Sequence, residues 1–391
     1  MGKIFFISDS HMGYLIYANR PRINRDTYRA LLSVANYIAE DPEEEKAVIF
    51  CGDNLDSKSP CPSDIQALKA AIKVLTDADI PVFGIEGNHD KVAARKMAGE
   101  DDPEDLSAPY GDCKWIDLVD GMNSINKQTV TIKSKKNDKT VSIHGLDYVQ
   151  GKQIYEELDK IPECDILVMH QPFMHVSPFE AHALEVEGVP ECVHKAVVFG
   201  HVHIADKRQT SNNVWVVSPG ATHAQKLTHP HGTFAVYDID TELFEFIQTP
   251  VHRDMFRFVC DTEDNMVSVE ECLEEYASED DKVKPIVGIK YKEDLGGLVA
   301  RIEDKYTDTA HIFPHIVRNV TDQVTAEEVV DLSPKEILDK LFLNLGFDKD
   351  GDDQDLYEQA LSMIEGHPEK VFEYIAKLED KRNEINKIST A

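Results

Sequence analysis

The chain has 391 residues, 42% of them hydrophobic and 29% charged, and a formal net charge of −31. The length exceeds one ordinary core, the composition is that of a globular protein, and no apolar run approaches the ~20 residues that a membrane span requires. The acidity counts against a broadly basic nucleic-acid-binding surface, but residues 261–391 hold 33 acidic against 15 basic side chains, and basic stretches remain upstream at Arg20, Arg22 and Arg25, at Lys91, Arg95 and Lys96, and at Lys133, Lys135 and Lys136.

In chain order, Ile4–Ser8 reads as a first buried strand, too short for a signal peptide. Arg25–Ala39 follows with Tyr28, Leu31, Leu32, Ala35 and Ile38 at helical spacing, then a strand at Ala47–Cys51. Ser63–Ala78 is a second helix with Ile65, Leu68, Ile72 and Leu75 on one face and Ser63 as the expected N-cap. Val82–Ile85, Ile166–Met169 and Val197–Phe199 are further strands; Val130–Lys133 and Thr140–His144 form a hairpin. Trp215–Val217, Phe234–Tyr237 and Leu243–Ile247 close this part of the chain. Strands alternating with helices, some antiparallel, predict a layered α/β sandwich over residues 1–250.

The order then changes to strand, helix, strand, helix, strand (Phe256–Cys260, Val267–Tyr276, Pro285–Lys290, Leu295–Tyr306, Ile312–Val317), which predicts a small α+β accessory domain over 251–318. Residues 319–332 are an acidic linker. Ser333-Pro334-Lys335-Glu336 opens a helical region over 333–391 with a capping serine, a proline in the first turn and a capping-box glutamate. Seven cysteines, odd in number and never in a C-x-x-C pair, suit a reducing cytoplasm rather than a disulfide framework or zinc ribbon. The acidic run at Asp348–Asp353 lacks both terminal ligands of a calcium loop. His223, His229 and His231 follow the metal motifs, where they could line the cleft; surface loops are the expected place for them.

The chemistry lies at the strand ends. The five strands named for the sheet finish in Asp9-Ser10-His11, Gly52-Asp53-Asn54, Gly87-Asn88-His89-Asp90, His170-Gln171 and Gly200-His201-Val202-His203. Ligands of open α/β sheets gather at the carboxyl ends of strands. Carboxylate, imidazole and amide oxygen without thiolate favour manganese, iron, zinc or magnesium. Seven candidate ligands are too many for one ion and suit two that share a bridge. Paired metals ~3.5–4 Å apart activate a water and hold both attacking and leaving oxygens in phosphoryl transfer.

In this order the motifs Asp-x-His, Gly-Asp, Gly-Asn-His-Asp, His and Gly-His-x-His resemble the calcineurin-like metallophosphoesterase superfamily. The resemblance implies an α/β/β/α sandwich with a small α+β capping domain and a helical tail. It also implies that Asp9, His11, Asp53 and His203 hold one divalent cation, and that Asp53, Asn88, His170 and His201 hold the other. Manganese, or else magnesium, would be the ion; His89 would contact the phosphate and assist the leaving group. Asp9-Ser10-His11-Met12-Gly13-Tyr14, Arg22–Tyr28, Ile80–Asp90 and Ser218-Pro219-Gly220 further resemble the SbcD-type nuclease subunits of double-strand-break repair, phage recombination nucleases among them. That branch implies DNA as substrate, an SMC-like ATPase (SbcC-type) bound through the C-terminal helices, a homodimer through the first two helices, and a cytoplasmic location, the host's if the chain is phage-encoded. The loop Tyr14–Arg25, with Arg20, Arg22 and Arg25, is the expected DNA contact. One position departs from the branch: Asp56 stands where its cellular members carry histidine. The phosphatase branch has aspartate there, so an Asp56–His89 dyad is expected, and a phosphatase or small-molecule phosphodiesterase is the alternative function.

Overall fold

The computed structural model describes residues 2–14, 25–43, 45–90, 116, 119–134, 138–177, 182–224, 231–251, 253–277 and 284–316. The helical region 333–391, the linker 319–332, Arg20, Arg22 and His229 lie outside the described residues.

Alternation of side chains along the first strand, β1 (Gly2–Ile7), sets the layering. Phe5 and Ile7 belong to one core cluster, with Leu31, Val34, Ile38, Leu68, Ile72 and Leu75 of helices α1 (Asp26–Glu40) and α2 (Pro62–Asp77). Ile4 and Phe6 belong to another, with Ile143, Ile166, Val168 and Val198 of a second sheet. All four β1 side chains are fully buried, each contributing on the order of 1.5–3 kcal/mol of apolar transfer free energy. β1 pairs in parallel with β2 (Glu45–Cys51), and β2 with β3 (Val82–Ile85). After β4 (Met122–Ser124), the hairpin of β5 (Thr129–Lys133) and β6 (Thr140–Leu146) enters the second sheet. That sheet continues through β7 (Cys164–Met169), β8 (Val193–Phe199), β9 (Ala205–Gln209) and β10 (Trp215–Pro219). β11 (Thr233–Asp238) and β12 (Leu243–Gln248) return to the first sheet. The two six-stranded orders are β12-β11-β1-β2-β3-β4 and β5-β6-β7-β8-β10-β9. Ile154 and Leu158 of helix α3 (Gln153–Leu158) pack with Leu167, Met169, Val197 and Phe199 in a third cluster on the second sheet. The layers are therefore helices, sheet, sheet, helix.

Ser63 is not the cap of α2. Cys61 holds that position, Pro62 occupies the first turn, and the Asp64 carboxylate accepts from the Cys61 N–H at 2.9 Å. The hydroxyl of Tyr28 on α1 donates to the same carboxylate. Beyond these sheets come β13 (Met255–Cys260), α4 (Glu263–Ala277), β14 (Ile286–Tyr291), α5 (Gly296–Lys305) and β15 (His311–Ile316), with sheet order β13-β14-β15. The chain divides into two compact units, the first holding Met1–Arg257, Asp280–Gly288 and Thr309–His311. In the second, α4 buries Met266, Val269, Leu273 and Tyr276, and α5 buries Val299 and Ile302. Among the described residues no helix is long and apolar enough to cross a membrane.

Candidate metal centre

Five strand ends converge, but on two sheets rather than the edge of one. β1, β2 and β3 deliver Asp9, His11, Asp53, Asn88 and His89 from the first sheet; β7 and β8 deliver His170, His201 and His203 from the second. Main-chain bonds lock the loops of the first sheet together. The N–H groups of Asp9, His11 and Met12 donate to the carbonyls of Gly52, Asp53 and Asn54 at 3.1, 2.9 and 2.9 Å. The Asp9 carboxylate joins the second sheet by accepting from the His201 N–H at 3.0 Å.

The backbone here is held in a sparsely populated region. Asp9 (φ 51°), His11 (φ 41°), Asp53 (φ 49°), His201 (φ 93°) and His203 (φ 60°) all have positive φ without being glycine. Each such residue costs on the order of 1 kcal/mol or more and persists where the surroundings dictate it, typically at functional sites. Gly87 is required for space: a Cβ there would lie 2.4 Å from the Asp53 nitrogen and 2.1 Å from its Oδ1.

The side chains form three tight groups. Ligand atoms of Asp9, His11, Asp53 and His203 lie within 4.8 Å of one another, as do those of Asp53, His170 and His201, and those of His11, Asp56 and His89. Asn88 joins the second of these, its Oδ1 2.9 Å from His201 Nδ1. Asp53 belongs to the first two groups, and both Asp53 and Asp9 are buried. His170 donates its Nδ1–H to the Cys51 carbonyl at 2.8 Å, which leaves Nε2 turned to the centre, 3.2 Å from Asp53 Oδ2 and without a hydrogen-bond partner among the described residues. His11 repeats the pattern: Nδ1 faces Asp56 Oδ1 at 3.0 Å, and Nε2 faces His203 Nε2 at 3.0 Å. Two imidazole nitrogens at that separation can share a proton or a cation.

The electrostatics ask for positive charge. Burial by itself would lower the imidazoles of His11 and His170, yet neighbouring carboxylates outweigh it and raise both. Burial would likewise raise the Asp53 carboxyl, but His170 and His11 hold it well below the usual carboxylate range. An oxygen and imidazole donor set with inward-facing Nε2 lone pairs fits hard or borderline divalent cations.

Asp56 is placed differently from the expected dyad. Its carboxylate meets His11, while His89 Nδ1 contacts the Asp56 main-chain carbonyl at 2.8 Å. The register of the second loop, fixed by Asp56 N–H donating to the Met12 carbonyl at 3.1 Å, turns that carboxylate toward the first strand's loop. The arrangement is a carboxylate–imidazole pair that orients a candidate ligand. Partners of this kind typically change metal affinity ~10–100-fold. Asp56→Asn is therefore expected to weaken manganese binding by about that factor, as isothermal titration of the full chain would show; unchanged affinity would remove this role.

Two residues given no role by the motif are prominent. Asp90, 1% exposed, accepts from the Asn54, Leu55 and Gly87 N–H groups at 3.1, 2.9 and 3.0 Å and from the Asn54 side-chain amide at 3.1 Å. It ties the second and third loops together, and the sequence hint was a carboxylate directly after a ligand motif. Stranding buried donors costs ~1–3 kcal/mol each. Asp90→Ala should accordingly lower the unfolding free energy by about 3–5 kcal/mol, read by urea denaturation; a change under ~1 kcal/mol would mean that water or relaxation satisfies the donors. The second is His223. Expected on a surface loop, it is 4% exposed, neither ring nitrogen has a partner among the described residues, and burial pushes its imidazole down to about 3. Nothing in the local sequence signals that burial. His231 is exposed, as is Arg25 just before α1. His144 lies in β6 against the Thr129 hydroxyl, His175 pairs with Asp206 and His194 with Glu163.

The family model described as calcineurin-like phosphoesterase matches residues 2–205. A curated relative named DNA double-strand break repair protein Mre11, from Methanosarcina mazei, is 26% identical over 269 residues, covering 66% of this chain and 39% of that protein. The protein of the same name from Halobacterium salinarum is 24% identical over 382 residues, covering 91% of this chain and 88% of its own. The chain spans between about a third and a half of the length of the first curated relatives it matches. Among solved structures, a hypothetical protein from Pyrococcus horikoshii aligns with 70% of this chain and 94% of its own at 17% identity and a TM-score of 0.36.

Proposed function

Since the chain belongs to the calcineurin-like phosphoesterase family, we propose that it is a two-metal DNA nuclease of the double-strand-break repair type, hydrolysing DNA phosphodiesters. One observation carries the reading: two cation-sized groups of oxygen and imidazole ligands share the buried Asp53 at the joined ends of two sheets. DNA as the substrate rests on the relatives, two of which are named above as double-strand break repair proteins.

In this reading Asp9, His11, Asp53 and His203 hold one cation, and Asp53, Asn88, His170 and His201 the other. Such a pair, when bound, supplies Lewis-acid charge at the scissile phosphate and acidifies a water. The chain's own groups do the remainder. His170 and His11 are fixed by their Nδ1 contacts, so each presents Nε2 to the centre. His89 is anchored by its N–H on Asp53 Oδ1 at 2.9 Å and by Nδ1 on the Asp56 carbonyl. Its Nε2 then remains to carry a proton to the departing oxygen. Manganese is the proposed ion. Arg25, with Arg20 and Arg22, is proposed to contact DNA phosphates. The region 333–391 is proposed to bind an SMC-like ATPase, and α1 and α2 to form a homodimer. Their core-facing stripes pack on the first sheet, leaving Leu32 and Tyr37 of α1 partly exposed.

The phosphatase alternative draws on the chain's acidity and on Asp56 in place of histidine; the Asp56 carboxylate pairs with His11 at 3.0 Å, and His89 Nδ1 contacts the Asp56 main-chain carbonyl at 2.8 Å. The deciding experiment compares linear double-stranded DNA with a generic phosphodiester, with and without manganese. Manganese-dependent DNA degradation is expected. Turnover of the small ester with DNA untouched, even after the ATPase partner is added, would overturn the nuclease reading.

A further inference from the structure

His223 stands apart from the groups already assigned. The parallel bridge between Ser8 and Ala221 runs the segment after β10 beside the end of β1, so Ser10 and His223 each stand two residues beyond the bridge. The Ala221 N–H donates to the carbonyl of His203 at 3.2 Å. The imidazole packs against Tyr14, ring centroids 5.9 Å apart, and Tyr14 packs against His11 at 6.1 Å. His223 thus lies next to Tyr14, on the side of the site that holds His11 and His203.

Its chemistry is unspent. Among the described residues both ring nitrogens are buried without a hydrogen-bond partner, and so are Ser10 Oγ and the Thr222 hydroxyl on the same two segments. Buried polar atoms are almost always paired, so an imidazole with neither nitrogen satisfied points to a partner that arrives from outside. A cation is the poorer candidate for that partner, because His223 lies in none of the three groups whose ligand atoms converge, and no carboxylate is paired with it among the described residues. A neutral ring offers one N–H donor, and the anion brought to this site is a phosphate.

We propose that His223 is a substrate-contacting residue whose ring N–H donates to a non-bridging oxygen of the phosphodiester bound at the Asp9–His203 side of the site. The assignment rests on the phosphoesterase reading above. It makes His223 a second imidazole contact to phosphate, beside Tyr14 and separate from His89. A contact of this kind holds the phosphate in the ground state as well as during reaction, so its loss raises KM more than it lowers kcat.

The test uses the full chain with His223→Leu, which keeps the apolar packing, and His223→Gln, which keeps a donor. Manganese uptake, thermal unfolding and the affinity of the manganese-loaded chain for inorganic phosphate are measured for each. His223→Leu should take up manganese like the wild type, unfold at or above the wild-type temperature, and bind phosphate about 10- to 100-fold more weakly. His223→Gln should recover most of that loss. Unchanged phosphate affinity in both variants would overturn the proposal and leave His223 a core residue, and a loss of manganese uptake would overturn it in favour of a metal ligand. A wild-type chain that binds neither manganese nor phosphate would instead overturn the phosphoesterase reading, and this proposal with it.

Discussion

Asp53→Asn is expected to abolish both divalent-cation uptake and phosphodiester hydrolysis while the chain remains folded. Among the described residues Asp53 is the one carboxylate common to both ligand groups, it is 1% exposed, and its Oδ2 lies 3.2 Å from His170 Nε2 and 3.6 Å from His11 Nε2. An amide in its place has one oxygen and no charge, so it can neither bridge nor compensate two cations. The second oxygen also holds the third loop, accepting from the His89 N–H. Losing the several kcal/mol of transition-state charge stabilisation that a metal pair provides lowers the rate by ~10³-fold or more. Metal content after dialysis, read with hydrolysis of a generic phosphodiester, checks it. A variant that keeps two metals per chain and a rate within ~10-fold of wild type would remove Asp53 from the proposed ligand set.

His89→Gln is expected to behave differently: full metal uptake, with turnover down ~10²–10⁴-fold, the range for a single general acid. His89 lies outside the two groups that share Asp53, and its ring is held edge-on to His11 with centroids 4.9 Å apart. The deficit should shrink for a phosphodiester whose leaving group is so acidic that it needs no proton, and persist for DNA. That contrast separates proton donation from simple packing. Equal losses on both substrates would leave His89 as a phosphate contact without an acid role. Loss of metal would make it a ligand.

Much of the fold was legible because its signals are local. The unbroken apolar run of β1 and the 3.6-residue stripes of α1 and α2 are properties of consecutive residues, and the strands and helices expected there are present within a few residues of their predicted ends. The short β4 and the one-and-a-half-turn α3 carry too few periods to stand out, and β9, Ala-Asp-Lys-Arg-Gln, has no apolar alternation at all. β9 is a strand because β10 offers it a paired edge, a fact of the sheet rather than of the segment. The cap of α2 differs for a local reason: Ser63 is the better capping side chain, but Pro62 requires the first helical turn and moves the cap back to Cys61.

By itself the sequence determined which residues stand at strand ends, since ligand motif and strand are joined covalently and the glycines at 52, 87 and 200 mark where the chain turns away. The tertiary structure alone decided how those ends meet. Asp9 reaches the His201 N–H across 192 positions, and His170 reaches the Cys51 carbonyl across 119. The division of five ligand-bearing strands between two sheets is likewise set by packing. So is the turn of the Asp56 carboxylate toward His11, and so is the burial of His223 beside Tyr14. Contacts between segments far apart in the chain depend on which layers close over one another, and no pattern of neighbouring residues encodes that choice.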